Sequence, residues 1–277
     1  MVDILGKRAM EGIYPMVVPG RSDPPRTSGL TMVIDMGSGI AATRDLLEYA
    51  GRYIDILKIS SGTAAIYPER ILREKLELCG SRGIATEAGG SHFEVAFWKK
   101  AVDAYFRQLK SIGFAAVEIA DGHLPLDPSA RVDCIKRAKD IGLKVFTEVG
   151  KKMPSENIRA PGIVEMMEKD LEAGADHVII EGKASGMDVG IFDARGDIVE
   201  EELDEIVAGV KDLNRVIWEA PLRTQAQALI LRFGPNVNLG NISPQEAFPL
   251  ELMRNGLMLM PLIEAYRREV SGKGGRP

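Results

Sequence analysis

Several features that would steer a functional reading are scarce or missing from this chain of 277 residues. Its two cysteines, Cys79 and Cys134, form no CxxC pair and have no metal-ligand spacing. That argues against a disulfide framework and for reduced thiols in a cytoplasmic protein. The three histidines, His92, His123 and His177, make no HExxH or comparable pattern, so a histidine-bound zinc is not expected. His177 begins an expected strand on the side away from the mouth and reads as structural. No apolar run reaches the roughly 18 residues a membrane span needs. The opening MVDILGKRAMEG lacks the basic-then-apolar order of a signal peptide. Basic residues are not in excess either: 35 Lys and Arg against 40 Asp and Glu give a net charge of −5, the wrong sign for a nucleic-acid partner. GxSxG, Walker and kinase motifs are absent.

What is present is repetition. Hydrophobic residues make up 45% of the chain, enough for a sizeable core. Five times an aliphatic run ends on a carboxylate and then a small residue: TMVIDMG, AAVEIADG, KVFTEVG, HVIIEG and RVIWEAP. Such runs, separated by helix-length amphipathic stretches, mark strands of an all-parallel sheet. The full set of expected strands is 31–37, 55–60, 84–89, 115–122, 144–150, 177–182, 215–221 and 236–242. Expected helices cover 41–51, 68–82, 91–113, 128–142, 160–174, 200–213, 224–233 and 244–256. Glycine follows several of them (Gly51, Gly83, Gly113, Gly142, Gly174), as left-handed helix ends require.

Eight alternations predict a single-domain α/β chain, a (β/α)8 TIM barrel over 29–266, with a short N-terminal extension over 1–28 and a flexible tail over 267–277. A doubly wound dinucleotide fold is the alternative. However, IDMGSGIAA puts Ala42 at the third glycine position, and Lys58 stands where an acidic residue belongs.

In a (β/α)8 barrel the reacting groups sit at the strand C-termini. Asp35, Glu87, Glu118, Asp121, Glu148, Glu181 and Glu219 all lie near such ends. Side chains alternate along a strand, so Glu118 and Asp121 cannot both face the lumen unless the strand bends. One Mg²⁺ needs only one or two carboxylates, so cations must neutralise the rest. Lys58, Lys151, Lys152 and Lys183 stand at the ends of strands two, five and six, and Arg21 and Arg26 lie in the extension. Carboxylates, lysines and a divalent ion together suit an enolate or carboxylate-phosphate substrate.

The strings SSGLTMVIDMGSG, EVGKK, DLEAGADHVIIEG, GIFD, VIWEAPLRTQ and FGPNVNLGNI resemble the phosphosulfolactate synthase family, in order, from about Pro25 to Gly256. The resemblance implies a (β/α)8 barrel and a Mg²⁺-dependent lyase. That lyase adds sulfite to phosphoenolpyruvate, giving (2R)-phospho-3-sulfolactate in a coenzyme M pathway. Lys151, beside Glu148, is the expected proton donor, with Glu148 and Lys58 as further catalytic candidates. Asp35, Glu148, Glu181 and Glu219 are the metal candidates. Arg26, Gly89, Gly90, Ser91, His92, Lys183, Asn238 and Asn241 are the substrate-binding candidates. The family resemblance also implies a homo-oligomer, a trimer being one candidate state, with the apolar stretch 256–266 as a possible contact. Two strings depart from the family pattern: Ser60-Ser61 follows strand two, and Ser91-His92 follows strand three. Both bear on the nucleophile, so a different nucleophile is one alternative. The family also includes plant heat-stress-associated proteins, so a non-catalytic barrel is another.

Overall fold

The computed structural model describes residues 8–153, 158–183 and 185–271. Eight parallel strands close into one barrel in sequence order. They are β1 (Thr31–Asp35), β2 (Ile56–Ile59), β3 (Ala85–Ala88), β4 (Ala116–Ile119), β5 (Lys144–Val149), β6 (His177–Ile180), β7 (Val216–Glu219) and β8 (Leu239–Ile242). Pairing of Thr31 with Leu239 closes the ring. Each strand falls inside its expected run. The helices are α1 (Ile40–Tyr49), α2 (Thr63–Ile66), α3 (Glu69–Gly80), α4 (Gly90–Trp98), α5 (Val102–Ile112), α6 (Pro128–Asp140), α7 (Ala160–Ala173), α8 (Glu200–Gly209), α9 (Arg223–Phe233), α10 (Ala247–Arg254) and α11 (Leu259–Val270).

Alternation along the strands builds two separate cores. Outward residues such as Val33, Leu57, Val117, Val145, Val178, Val216 and Leu239 pack under the helices. Inward residues Leu30, Met32, Ile56, Ala116, Phe146, Ile179 and Ile217 plug the lower half of the barrel. Gly240 makes that plug possible, since a Cβ there would stand 2.6 Å from the Met32 side chain. Each large aliphatic in the plug contributes about 1.5–3 kcal/mol on leaving water. The upper half of the lumen is therefore relieved of the task of stabilising the barrel.

The expected helix over 91–113 is two helices. Lys100 adopts φ +56, its N–H reaches Phe97 O, and Ala101 N–H reaches Ala96 O at 2.8 Å. This is a Schellman ending with lysine where glycine usually stands, which removes the signal that would have shown the break. Helix α8 ends at Gly209, four residues before the expected boundary. Helix α11 runs to Val270, past the expected barrel end at 266, and 272–277 of the expected tail lie outside the described residues, as do 1–7 of the extension. Both cysteines are buried and unpaired. No described helix is long and apolar enough to cross a membrane.

Residues of the extension are strapped under the barrel. Arg21 bonds Glu251 and Gly29 O, Ser22 bonds Asn236, and Arg26 pairs with Asp55 at 3.2 Å. At the same lower end His177 packs against Phe146, and burial with Arg215 nearby pushes its pKa down to about 4. The native state thus holds it neutral, while the unfolded chain protonates near pH 6.5. Stability present above pH 6.5 is therefore lost as pH falls toward 4. Chemical unfolding at pH 7 and pH 4 should show His177→Phe losing less stability than the parent over that interval, by up to about 3 kcal/mol.

Candidate active site

Six charged side chains point into the upper lumen at the C-terminal ends of their strands. Lys58 comes from β2, Glu87 from β3, Glu118 from β4, Glu148 from β5 and Glu219 from β7, while Glu181 follows β6. All six are almost fully buried. The Lys58 ammonium lies 2.5 Å from Glu118, 3.0 Å from Glu219 and 3.5 Å from Glu148. A second ammonium, Lys152, reaches over from the loop after β5. It lies 3.0 Å from Glu148 and bonds Glu181 as well.

After β5 and β6 the small residue that follows the carboxylate has a steric cause. A Cβ at Gly150 would stand 2.6 Å from the Glu181 Cβ, and one at Gly182 would stand 2.6 Å from Glu219 O. Each glycine makes room for the glutamate of the next strand. Gly182 also donates its N–H to Glu219 at 2.9 Å.

Charge does not balance within this ring. Five carboxylates face two ammoniums, leaving an excess of three negative charges if all are ionised. Burial pushes Lys58 down, but Glu118, Glu219, Glu148 and Glu87 outweigh it and hold it well above its ordinary range. Lys152 is likewise raised against burial by Glu148 and Glu181. Burial also opposes ionisation of Glu148, yet Lys152 and Lys58 keep its pKa low. Burial, then Glu148 and Glu219, push Glu181 well up. Among the described residues, Glu148, Glu181 and Glu219 present oxygens that all lie within 4.8 Å of one another. An all-oxygen donor set with surplus negative charge fits a hard divalent cation.

The family model of (2R)-phospho-3-sulfolactate synthase (ComA) matches residues 19–259, a span that includes every barrel strand and both lysines. The chain belongs to the phosphosulfolactate synthase family. It is 42% identical over 231 residues to phosphosulfolactate synthase of Methanocaldococcus jannaschii, covering 83% of this chain and 92% of that protein. Identity to the phosphosulfolactate synthase of Methanothermobacter thermautotrophicus is 37% over 246 residues, covering 88% and 95%. Among solved structures, dihydrodipicolinate synthase from Agrobacterium tumefaciens has a TM-score of 0.56 at 13% identity, covering 89% of this chain and 81% of that one. That likeness is one of fold.

For this phosphosulfolactate synthase family member, the structure brings together only part of the expected set. Lys58, Glu148, Glu181 and Glu219 converge. Asp35 does not: it has the parity of outward residues and bonds Lys75 together with the N–H groups of Gly37 and Ser38 at 2.8 Å. Arg26 and Asn238 lie at the opposite end of the barrel. Asn238 accepts from Leu30 N and donates to Asn214 O and Val216 O. Lys151 turns away from Glu148 to bond the Asp121 carbonyl at 2.6 Å and the Asp121 carboxylate. Lys152 takes the position expected of Lys151. Lys183 sits at the mouth with its ammonium on Asp188 O, and Asn241 donates weakly to Lys183 O at 3.4 Å. Gly90 donates its N–H to Glu118 at 2.7 Å, so that amide serves the ring. Gly89 packs on the β2 loop, where a Cβ would meet Ser61 N at 2.7 Å. Ser91 and His92 follow on the first turn of α4, the His92 ring 4.7 Å from Tyr105.

Glu118 and Asp121 do face opposite ways. Asp121 pairs with Lys151 and with the buried Arg131, which also grips Asp170 and the Glu148 carbonyl at 2.9 Å. Glu87, Glu118 and Lys152 are members of the ring that the expected site omits. Strand parity was the available signal, since Glu87 pairs with Lys58 in register and Glu118 follows inward Ala116 by two places.

Asp35 and Lys75 form a buried pair joined by Tyr67. Breaking a buried pair strands a charge, at a cost of about 3 kcal/mol or more. Urea unfolding should show Lys75→Met destabilised by about that amount, with Asp35→Asn added to it recovering most of the loss.

Proposed function

We propose that this chain catalyses the addition of sulfite to phosphoenolpyruvate, giving (2R)-phospho-3-sulfolactate with Mg²⁺. The observation that carries the reading is the charged ring itself, set in a chain that belongs to the phosphosulfolactate synthase family. The sulfur lone pair forms the bond to C3, and the C2–C3 π electrons move toward C1 as the aci-carboxylate develops. A proton delivered to C2 then completes the product.

Glu148, Glu181 and Glu219 would hold the ion. When bound, it supplies Lewis-acid stabilisation of the substrate's developing carboxylate charge. Lys58, fixed at the centre of the ring, adds a second stabilising positive charge. Lys152 is the lysine placed to serve as proton donor, because its ammonium stands between Glu148 and Glu181 whereas Lys151 is held by Asp121. Gly89, Gly90, Ser91, His92, Lys183 and Asn241 are the candidate contacts to the substrate's phosphate and sulfonate groups. A non-catalytic role is disfavoured. A binding scaffold gains nothing from gathering seven ionisable groups in one lumen, since each ion among them costs several kcal/mol to desolvate.

The product class suits coenzyme M biosynthesis in the cytoplasm. Helix α11 exposes Leu259, Leu262, Ile263, Tyr266 and Val270 at helical spacing, which supports a homo-oligomer through that face. Light scattering at micromolar concentration should give a mass above one chain; a monomer removes this claim.

Incubation with phosphoenolpyruvate, sulfite and Mg²⁺, followed by proton NMR, should show loss of the vinyl signals. Excess chelator should stop the reaction and added Mg²⁺ restore it. Glu148→Gln and Glu181→Gln should raise the Mg²⁺ concentration required. Loss of a general acid typically lowers the rate about 10²–10⁴-fold. That drop is expected for Lys152→Ala, with a smaller one for Lys151→Ala. Unchanged vinyl signals in the complete mixture, or full turnover in chelator, would remove this reaction or its metal.

A further inference from the structure

Of the two ring members to which this reaction gives no role, Glu118 and Glu87, the more isolated is Glu87. It is 0% exposed, and neither of its carboxylate oxygens receives a hydrogen bond from any described residue. An ionised carboxylate sealed from water without a donor costs far more than a fold can ordinarily carry. The groups facing it explain how this one persists. Across the β2–β3 pair stands Lys58, whose ammonium is committed to Glu118, Glu219 and Glu148. From β4, Glu118 points into the lumen beside it, two places beyond the Ala116 that Glu87 pairs with in register, and Glu219 of β7 faces it from across the lumen. From α5 the Tyr105 hydroxyl, also buried and without a hydrogen-bond partner among the described residues, adds no charge. Two carboxylates that approach each other in a dry lumen need a proton or a cation between them, and the one ammonium beside this pair is already shared by Glu118, Glu219 and Glu148.

We propose that Glu87 and Glu118 share one proton at neutral pH, and that Glu87 is thereby a neutral hydrogen-bond donor that fixes Glu118 against Lys58. Glu118 is the element of the site that needs fixing. It accepts from Gly90 N–H at the start of α4, and it is the Lys58 ammonium's nearest partner. Locking it sets the position of Lys58 and the docking of the β3–α4 turn together. Burial, followed by Glu118, pushes the Glu87 pKa well up, in the direction that this arrangement requires. The shared proton also improves the charge balance: with it and one divalent cation, the five carboxylates and two ammoniums come to zero. Glu87 is a positioning residue on this account, since it touches Glu118 rather than substrate.

The sign of the pH dependence follows. Below the pair's raised pKa the proton is present and Glu118 is held. As pH rises through it, two buried like charges face each other and the grip on Lys58 is lost. An amide at position 87 keeps an N–H donor that does not titrate.

The test needs no turnover. Infrared difference spectra of Mg²⁺-loaded protein carrying carboxyl-13C glutamate should show the carbonyl stretch of a protonated carboxylic acid at neutral pH. That band should vanish on alkaline titration and should be missing from Glu87→Gln. A parent protein without the band, or a band that survives in both Glu87→Gln and Glu118→Gln, overturns the shared proton. The role in positioning rests on the proposed reaction, and there the alkaline limb of the kcat–pH profile should move up by about one pH unit or more in Glu87→Gln. An unmoved limb removes the positioning role. Failure to consume phosphoenolpyruvate with sulfite sinks the proposed reaction and leaves the band as it was.

Discussion

The arrangement depends on the Lys58 ammonium being held dry among glutamates at the middle of a barrel. Bringing a buried ammonium and several carboxylates out of water costs several kcal/mol for each ion. Attraction among them repays this only where geometry is tight, and here three carboxylate oxygens lie within 3.5 Å of one nitrogen. Remove the lysine and the glutamates repel one another with little solvent to screen them. Remove the glutamates and the lysine has no reason to remain charged. The ring holds as a set, and the apolar plug of Met32, Ile56, Phe146, Ile179 and Ile217 beneath it supplies stability that the ring itself does not.

Outside the lumen, a second layer of buried ions fixes the strand ends that carry the ring. Arg131 ties α6 to Asp170 of α7 and to the carbonyl of Glu148, so the backbone of a ring residue is held from behind. Lys75 on α3 performs a similar task at the end of β1, gathering Asp35, Tyr67 and Ser38 O. Glu94 on α4 caps the turn after β4 by accepting from the N–H groups of His123 and Leu124. These contacts explain why the catalytic face of the barrel is rich in ion pairs that never meet the lumen. Position at the end of a strand does not by itself make a charged residue part of the site.

Most of the fold was legible in the sequence, because a buried parallel strand has a two-sided apolar signature that little else imitates. All eight strands lie within their expected runs, and the helix ends marked by glycine fell close to place. The break inside 91–113 was hidden because Lys100 occupies a left-handed position without glycine's signal. The site was legible only in part. Lys58, Glu148, Glu181 and Glu219 share the inward parity, whereas Asp35 has the outward one, and proximity to a strand end could not separate them. Arg26 and Asn238 lie apart from the ring for a different reason: a strand's N-terminal flank is at the far end of the barrel from its C-terminal flank, and both residues belong to the former. Lys151 and Lys152 are adjacent in a loop, and which of them turns inward depends on Asp121, thirty residues earlier.

An acidic site in an acidic protein is a paradoxical host for a substrate carrying phosphate, carboxylate and, in the proposed reaction, a sulfite partner. With every carboxylate ionised, the ring carries three surplus negative charges and repels all of them. The surplus fits the ring to a hard divalent cation, and in the proposed reaction occupancy by that cation would fit it to an anion. Binding of the two is then linked, and linkage is reciprocal: whatever factor the cation adds to substrate affinity, the substrate adds to cation affinity. A ring balanced by lysines alone would bind anions without metal but would hold no Lewis acid at the reacting carboxylate. In the proposed reaction the excess of glutamate over lysine is therefore a requirement of the chemistry, and it sets the number of charges the barrel must bury.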